Sequence, residues 1–168
     1  MMKNVQKILV LGGPGSGKSV LSDNLGKQMN IPVFHLDDLH VECNVPANGK
    51  VERNNKILSI LKQKSWIMDG NYRSTLQERI EKSDIIIFLD YPTYKLIWGV
   101  LSRAFKNISN INKGDLITVI QLALLFRKQK RADILKIINN ANKHLIFNNR
   151  QELNKWFKRE FNEVIRSV

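Results

Sequence analysis

Residues 12 to 19 read GGPGSGKS, and Lys18 and Ser19 within them are the first side chains whose type and spacing can do chemistry. Gly12, Gly17, Lys18 and Ser19 satisfy G-x-x-x-x-G-K-[ST], with the apolar run KILVL before the loop and the helical pattern VLSDNLGKQMN after it. A loop of Gly12, Gly13, Pro14, Gly15, Ser16 and Gly17 can curl its backbone amides around one anion, and the helix start adds its partial positive charge. Lys18 is then placed to reach the β- and γ-phosphates and to act in their transfer, and the Ser19 hydroxyl to ligate Mg²⁺. The expected ligand is a nucleoside triphosphate, ATP, taken with Mg²⁺.

A second set of candidates lies just after the other apolar runs. In parallel α/β sheets ligands sit beyond the carboxyl ends of the strands, so polar residues at those ends are the ones that reach a ligand. Asp37 and Asp38 follow one run in FHLDDLH, Asp69 follows another in WIMDGNYRST, and Asp90 follows a third in IIIFLDYP. We assign Asp69 to the Mg²⁺ shell and Asp37 to a substrate hydroxyl, whose proton it can accept, with Asp38 beside it. Asp90, ahead of Tyr91-Pro92 and a helix, is expected to cap that helix. Of the three histidines, His35 and His144 read as packed strand residues without chemistry, whereas His40 belongs to the DDLH segment. Trp66, Trp98 and Trp156 sit in apolar patterns and are expected in the core.

The elements that must position these residues are legible as alternation. The runs KILVLG, IPVFHL, SWIMDG, DIIIFLD and HLIFN are short and almost free of charge, which suits strands buried on both faces of a parallel sheet. Between them NKILSILK places Ile57, Ile60 and Leu61 on one helical face. LNKWFKREFNEV does the same for Leu153, Trp156, Phe157 and Val164, with Asn149 and Glu152 spaced as a capping box. Five strands alternating with helices predict a three-layer α/β P-loop NTPase fold with a five-stranded parallel sheet. Residues 1–168 form one domain, with an acceptor-binding region at about 37–64 and a helical lid insertion at about 104–142. Within the insertion FKNISNINKGD reads as a loop, and LITVIQLALLFRKQKRADILKII as one long helix or two around a basic cluster.

Composition narrows the setting. The chain has 168 residues, 27 basic against 15 acidic, for a net charge of +12. Lys95 to Arg150 holds eleven basic residues against Asp115 and Asp133 alone, so the excess is concentrated there and calls for anionic partners. Nucleotides answer that demand; nucleic acid would too, although no helix-turn-helix, zinc or RNA-binding signature accompanies the charge. A single cysteine, Cys43, excludes a disulfide framework and fits a reducing cytoplasm. The apolar run before the glycine loop is too short for a signal-peptide core, and IIIFL is far below a membrane span. The expectation is a soluble, cytoplasmic protein with no membrane partner.

GGPGSGKS, HLDDLH, WIMDGNY, IIFLDYP and RKQKRADIL together resemble the adenylate-kinase-like bacterial proteins labelled DNA topology modulation proteins, or FlaR-related kinases, along nearly the whole chain. DGNYR is similar to the DGFPR of adenylate kinases, which places Arg73 at an acceptor phosphate. The position of Arg103 after LDYP is similar to that of a lid-root arginine. The resemblance implies a nucleoside-monophosphate-kinase-like fold and a Mg-ATP-dependent phosphotransferase acting on a small-molecule acceptor, a nucleotide being one option. Gly99 stands where such proteins often repeat arginine and the lid loop is arginine-poor, which leaves Arg103 and Arg131 for the transferring phosphoryl and Arg127 for the nucleotide. DDLH also resembles the GDxLH of gluconate kinases, which implies as an alternative a hydroxyl acceptor held by Asp37. The family's label implies a further alternative, a nucleotide-switched nucleic-acid-binding regulator.

Overall fold

The structure, a computed structural model, describes residues 2, 4–38, 49–106, 113–139, 141 and 143–165. Five strands, β1 (Lys7–Gly12), β2 (Val33–His35), β3 (Trp66–Asp69), β4 (Ile85–Leu89) and β5 (His144–Phe147), form one sheet in the order β2-β3-β1-β4-β5. Every pairing is parallel, with Val10 level with Asp69 on one side and Gly12 level with Leu89 on the other. β3 and β4 are buried along their whole length, as their uninterrupted apolar runs require of strands covered on both faces. The expected three-layer α/β architecture is thus present.

Among the described residues the sheet is flanked by helices α1 (Lys18–Met29), α2 (Gly49–Leu61), α3 (Leu76–Lys82), α4 (Thr93–Lys106), α5 (Lys113–Leu125), α6 (Arg131–Asn139) and α7 (Arg150–Phe161). α1 starts where Gly17 adopts a left-handed φ of 84°. It stops at Asn30, left-handed at φ 54°, the conformation that closes many helix ends. The expected capping box is formed at α7, where the Asn149 side chain accepts from the Glu152 N–H at 2.9 Å and Glu152 accepts from the Asn148 N–H at 3.1 Å.

Two boundary expectations change. α7 ends at Phe161 through the left-handed Asn162, so Val164 lies beyond the helix and is exposed, while Leu153, Trp156 and Phe157 are buried as expected. α4 runs on to Lys106 and α5 begins at Lys113, which shortens the expected loop, since neither segment contains a proline to stop it. Residues 107–112 of the expected loop, Cys43 and His40 lie outside the described residues. The basic cluster of the insertion, Phe126–Lys130, is a wide π-type turn that joins α5 to α6. Among the described residues no helix is long and apolar enough to cross a membrane.

Candidate active site

Every strand delivers its carboxyl end to the same edge of the sheet, and β1 hands its end directly to the glycine loop. Asn71, just after β3, backs that loop: its amide donates to the Gly12 carbonyl at 2.6 Å and accepts from the Gly12 N–H at 3.3 Å. The pair continues the β1–β3 ladder by one side chain beyond the strands. On the other side α4 lies against the loop by bare backbone. A β-carbon added at Gly99 would stand 2.0 Å from the Gly15 carbonyl oxygen, and one added at Gly15 would stand 2.2 Å from the Leu96 carbonyl oxygen. Gly99 is therefore the residue that this close approach demands. Its distance from the arginine pattern of the resembling proteins has a packing cause.

Beside the loop opens a cavity of about 690 Å³ lined by Lys18, Ser19, Asp37, Arg73, Arg103 and Lys130, with Gly15, Gly17, Asn71 and Tyr72 among its other walls. Helices α4 and α5 supply its apolar side through Val100, Ala104, Val119 and Leu122. The Lys18 ammonium donates to the Gly13 carbonyl at 3.3 Å. Burial pulls its pKa below the usual lysine value, Asp69 and Asp37 pull it back up, and Arg103 pushes it down. Those four groups, from four separate segments of the sequence, therefore share one electrostatic neighbourhood. Tyr72 stands over the Arg53 guanidinium, 4.5 Å from ring centre to carbon, and is hydrogen-bonded to Asp37. Burial first, and then the Asp37 carboxylate, raises the Tyr72 pKa, with Arg53 opposing.

Asp69 and His35 correct an expectation. Asp69 is 1% exposed, and its Oδ2 accepts from His35 Nδ1 at 2.7 Å, while His35 Nε2 faces Asp23 Oδ1 of α1 at 3.1 Å. Both ring nitrogens have carboxylate acceptors, an arrangement that only the imidazolium satisfies by donating from each. The hydrogen bond that His35 donates to Asp69 raises the His35 pKa to about 9 against the opposing effect of burial, and the charges of Asp69 and Asp23 add to the rise. His35 is thus a strand residue as expected, but a charged bridge instead of mere packing. Ser19 lines the cavity, and the Asp69 carboxylate, buried at the end of β3 and absent from the wall, acts on Lys18 from behind it; hydroxyl and carboxylate are both hard oxygen donors. They fit Mg²⁺, which binds through one or two protein oxygens and keeps phosphate and water for the rest of its shell.

Asp90 and Arg131 were expected to be a helix cap and a catalytic lid arginine, and the structure joins them instead. Arg131 Nε and Nη2 each reach an oxygen of Asp90 at 2.7 Å in a two-point ion pair, with the Asp90 side chain 4% exposed. The fork ties the start of α6 to the end of β4, and Arg131 is absent from the cavity wall. Arg127, in the π turn, is exposed and also off the wall, as is Asp38; Lys130 of the same turn lines it. Arg73 does face the cavity, and it also pairs with Asp133 of α6.

Sequence reasoning passed over Arg79, which is fully buried and donates to the carbonyls of Gly70, Tyr72 and Thr75. Burial lowers its pKa to about 10, with Glu78 opposing. Arg79 holds the turn that carries Asn71, Tyr72 and Arg73; the only signal available was a charged residue at a buried phase of α3. Trp66 and Trp156 are core residues as expected, but Trp98 is 71% exposed, because Leu96, Gly99 and Val100 form the inward face of α4.

No protein-family model matches this sequence, and no curated protein does. Solved structures do match its fold. A shikimate kinase from Acinetobacter baumannii in complex with shikimate superposes with a TM-score of 0.64 at 12% identity, covering 96% of each chain. A gluconokinase from Sinorhizobium meliloti 1021 gives 0.58 at 15% identity, over 94% of this chain and 90% of its own. A shikimate kinase from Bacteroides thetaiotaomicron gives 0.54 at 16%, over 95% and 99%. The chain has the fold of these P-loop kinases over nearly its full length.

Proposed function

We propose that this protein is a Mg-ATP-dependent phosphotransferase that phosphorylates a hydroxyl of a small anionic acceptor. The observation that carries this reading is the single cavity onto which Lys18, Ser19, Asp37, Arg73 and Arg103 all open. The glycine loop and Lys18 hold the β- and γ-phosphates, and Ser19 with Asp69 hold Mg²⁺, which neutralises phosphate charge when bound. Asp37 takes the acceptor hydroxyl: its oxygen bonds to the γ-phosphorus, the bond from that phosphorus to the ADP oxygen breaks, and the hydroxyl proton passes to the Asp37 carboxylate. Arg103 faces the charge of the transferring group, and Arg73 an anionic group of the acceptor. Asp38 has a weaker claim beside Asp37, and Arg127 a weaker claim on the nucleotide.

The neighbours in fold act on shikimate and gluconate by their names, both hydroxy acids, which supports a carboxylate-bearing acceptor over a nucleotide. The experiment is ADP release from ATP, with shikimate, gluconate and the nucleoside monophosphates as parallel acceptors. Stimulation by a hydroxy acid that Asp37→Asn abolishes supports the reading. Stimulation by a nucleoside monophosphate alone restores the adenylate-kinase-like acceptor, and ATP binding without stimulation by any acceptor counts against a kinase.

One observation favours the second reading, a nucleic-acid-binding regulator of the kind named in the DNA topology modulation resemblance. Tyr94 and Trp98, one turn apart on α4, are 69% and 71% exposed and share that helix with Lys95 and Arg103. Exposed aromatics interleaved with cations are a platform for single-stranded bases. Its test is single-strand binding against salt, with a log-log slope of about −0.7 per phosphate contacted. Binding that survives physiological salt, and that Trp98→Ala removes, would favour it.

A further inference from the structure

His35 joins the two residues assigned to Mg²⁺ without belonging to either of their elements. Ser19 and Asp23 both lie on α1, four residues apart, and so are stacked one turn above the other on the same face. Asp23 Oδ1 meets His35 Nε2 at 3.1 Å, and His35 Nδ1 meets Asp69 Oδ2 at 2.7 Å. A continuous line of contacts therefore runs from the helix that carries Ser19, through one imidazole, to the carboxylate at the end of β3. The line fixes two things at once. It sets how far α1 can move from the end of β3, and it engages Oδ2 of Asp69, so that Oδ1 is the oxygen outside the His35 bond.

We propose that His35 is the positioning residue of the magnesium pair, holding Ser19 and Asp69 at the spacing at which both reach one Mg²⁺ bound to the triphosphate. The inference rests on the kinase reading of the cavity. Its physical basis is that a carboxylate which ligates a small, geometrically demanding cation gains from having its second oxygen pinned. A free Asp69 would sample rotamers in which neither oxygen faces Ser19. Among the described residues, the hydrogen bonds of the glycine loop and Lys18 involve no atom of His35, so its direct contacts bear on Asp69 and Asp23, and it reaches the bare triphosphate only through the Asp69 charge felt by Lys18.

That distinction makes the test. ATP affinity is measured by calorimetry twice, in EDTA and in excess Mg²⁺, for wild type, His35→Phe, His35→Gln and Asp23→Ala, each with a thermal melt to confirm folding. For His35→Phe the Mg²⁺ enhancement of affinity is expected to fall about 10-fold or more, while affinity in EDTA stays within about twofold. His35→Gln keeps a donor toward Asp69 and recovers part of the enhancement. Asp23→Ala, which severs only the tether to α1 at a partly exposed side chain, gives an intermediate loss and stands in should His35→Phe fail to fold. An unchanged enhancement in the folded variants overturns the inference, and so does an equal loss with and without Mg²⁺, which marks a purely structural role. Wild-type protein that binds no ATP in either buffer overturns the kinase reading as well, so the two failures are told apart.

Discussion

The two walls of the site are built differently. On the sheet side, Asn71, Arg79, Asp69 and His35 are fixed by short hydrogen bonds to backbone or to one another, and Asp69 and Arg79 are almost wholly buried. On the insertion side, Arg103 and Lys130 reach the cavity on long side chains, and Asp133 meets Arg73 of the sheet-side turn in a pair that is mostly exposed on both partners. A buried polar group left without its partner is costly, whereas an exposed ion pair is worth little. The sheet side is therefore held by its own buried bonds, whereas the insertion is anchored to β4 by the buried Arg131–Asp90 fork and meets the cavity itself through side chains that only an exposed pair restrains.

Substitution of two arginines probes that contrast most strongly. Arg103→Ala is expected to lower kcat by about 10³-fold, the lower end for an arginine that meets a transferring phosphoryl group, with little change in melting temperature. Arg131→Met should do the reverse. It strands the Asp90 carboxylate in a buried site and costs about 3–5 kcal/mol of stability in denaturant titrations, while kcat of the folded fraction is maintained. If Arg131→Met instead lost turnover at full stability, the insertion would be using that arginine in catalysis and the contrast would fail.

Lys18→Ala comes next, with a loss of about 10²-fold in kcat/KM for ATP and an unaltered melt, since the lysine carries ligand charge and no core packing. A smaller effect is expected from pH. The folded-state pKa of His35, about 9, exceeds its ordinary 6.5, so protonation favours the folded form. The His35 contribution to stability is complete below about pH 6.5 and is lost as pH rises through about 9. The gap in melting temperature between wild type and His35→Gln should accordingly close over that window; a gap that widens with pH would mean the imidazole is neutral when folded. Smallest of all, Asp133→Asn should change stability by less than about 1 kcal/mol, because the Arg73–Asp133 pair lies open to solvent.

What could be read in advance follows the same division. The strands, the glycine loop and the Asn149–Glu152 box are local patterns, and local spacing is what a sequence displays. The partnerships His35–Asp69 and Asp90–Arg131 join residues 34 and 41 positions apart, so no spacing rule announces them. Asp90 illustrates the loss: an aspartate before a helix reads as a cap, and only the fold brings α6 close enough to claim it. Trp98 fails for another reason. Helix α4 is apolar on several faces, and its inward side is selected by a residue with no side chain, Gly99, which apolar periodicity does not register. Arg79 went unnoticed because its partners are carbonyls, which every residue has.

The bare contact between Gly15 and Gly99 makes α4 a lever. With no side chains in between to compress, any displacement of the loop is passed to the helix backbone undamped. Arg103 sits one turn farther along, about 6 Å down the axis at 1.5 Å per residue. On the kinase reading, a loop that tightened around a triphosphate would carry that backbone contact, and with it the root of Arg103, in step. An alanine at Gly99 would put a spacer at the fulcrum, and every downstream position on α4 would be reset by it.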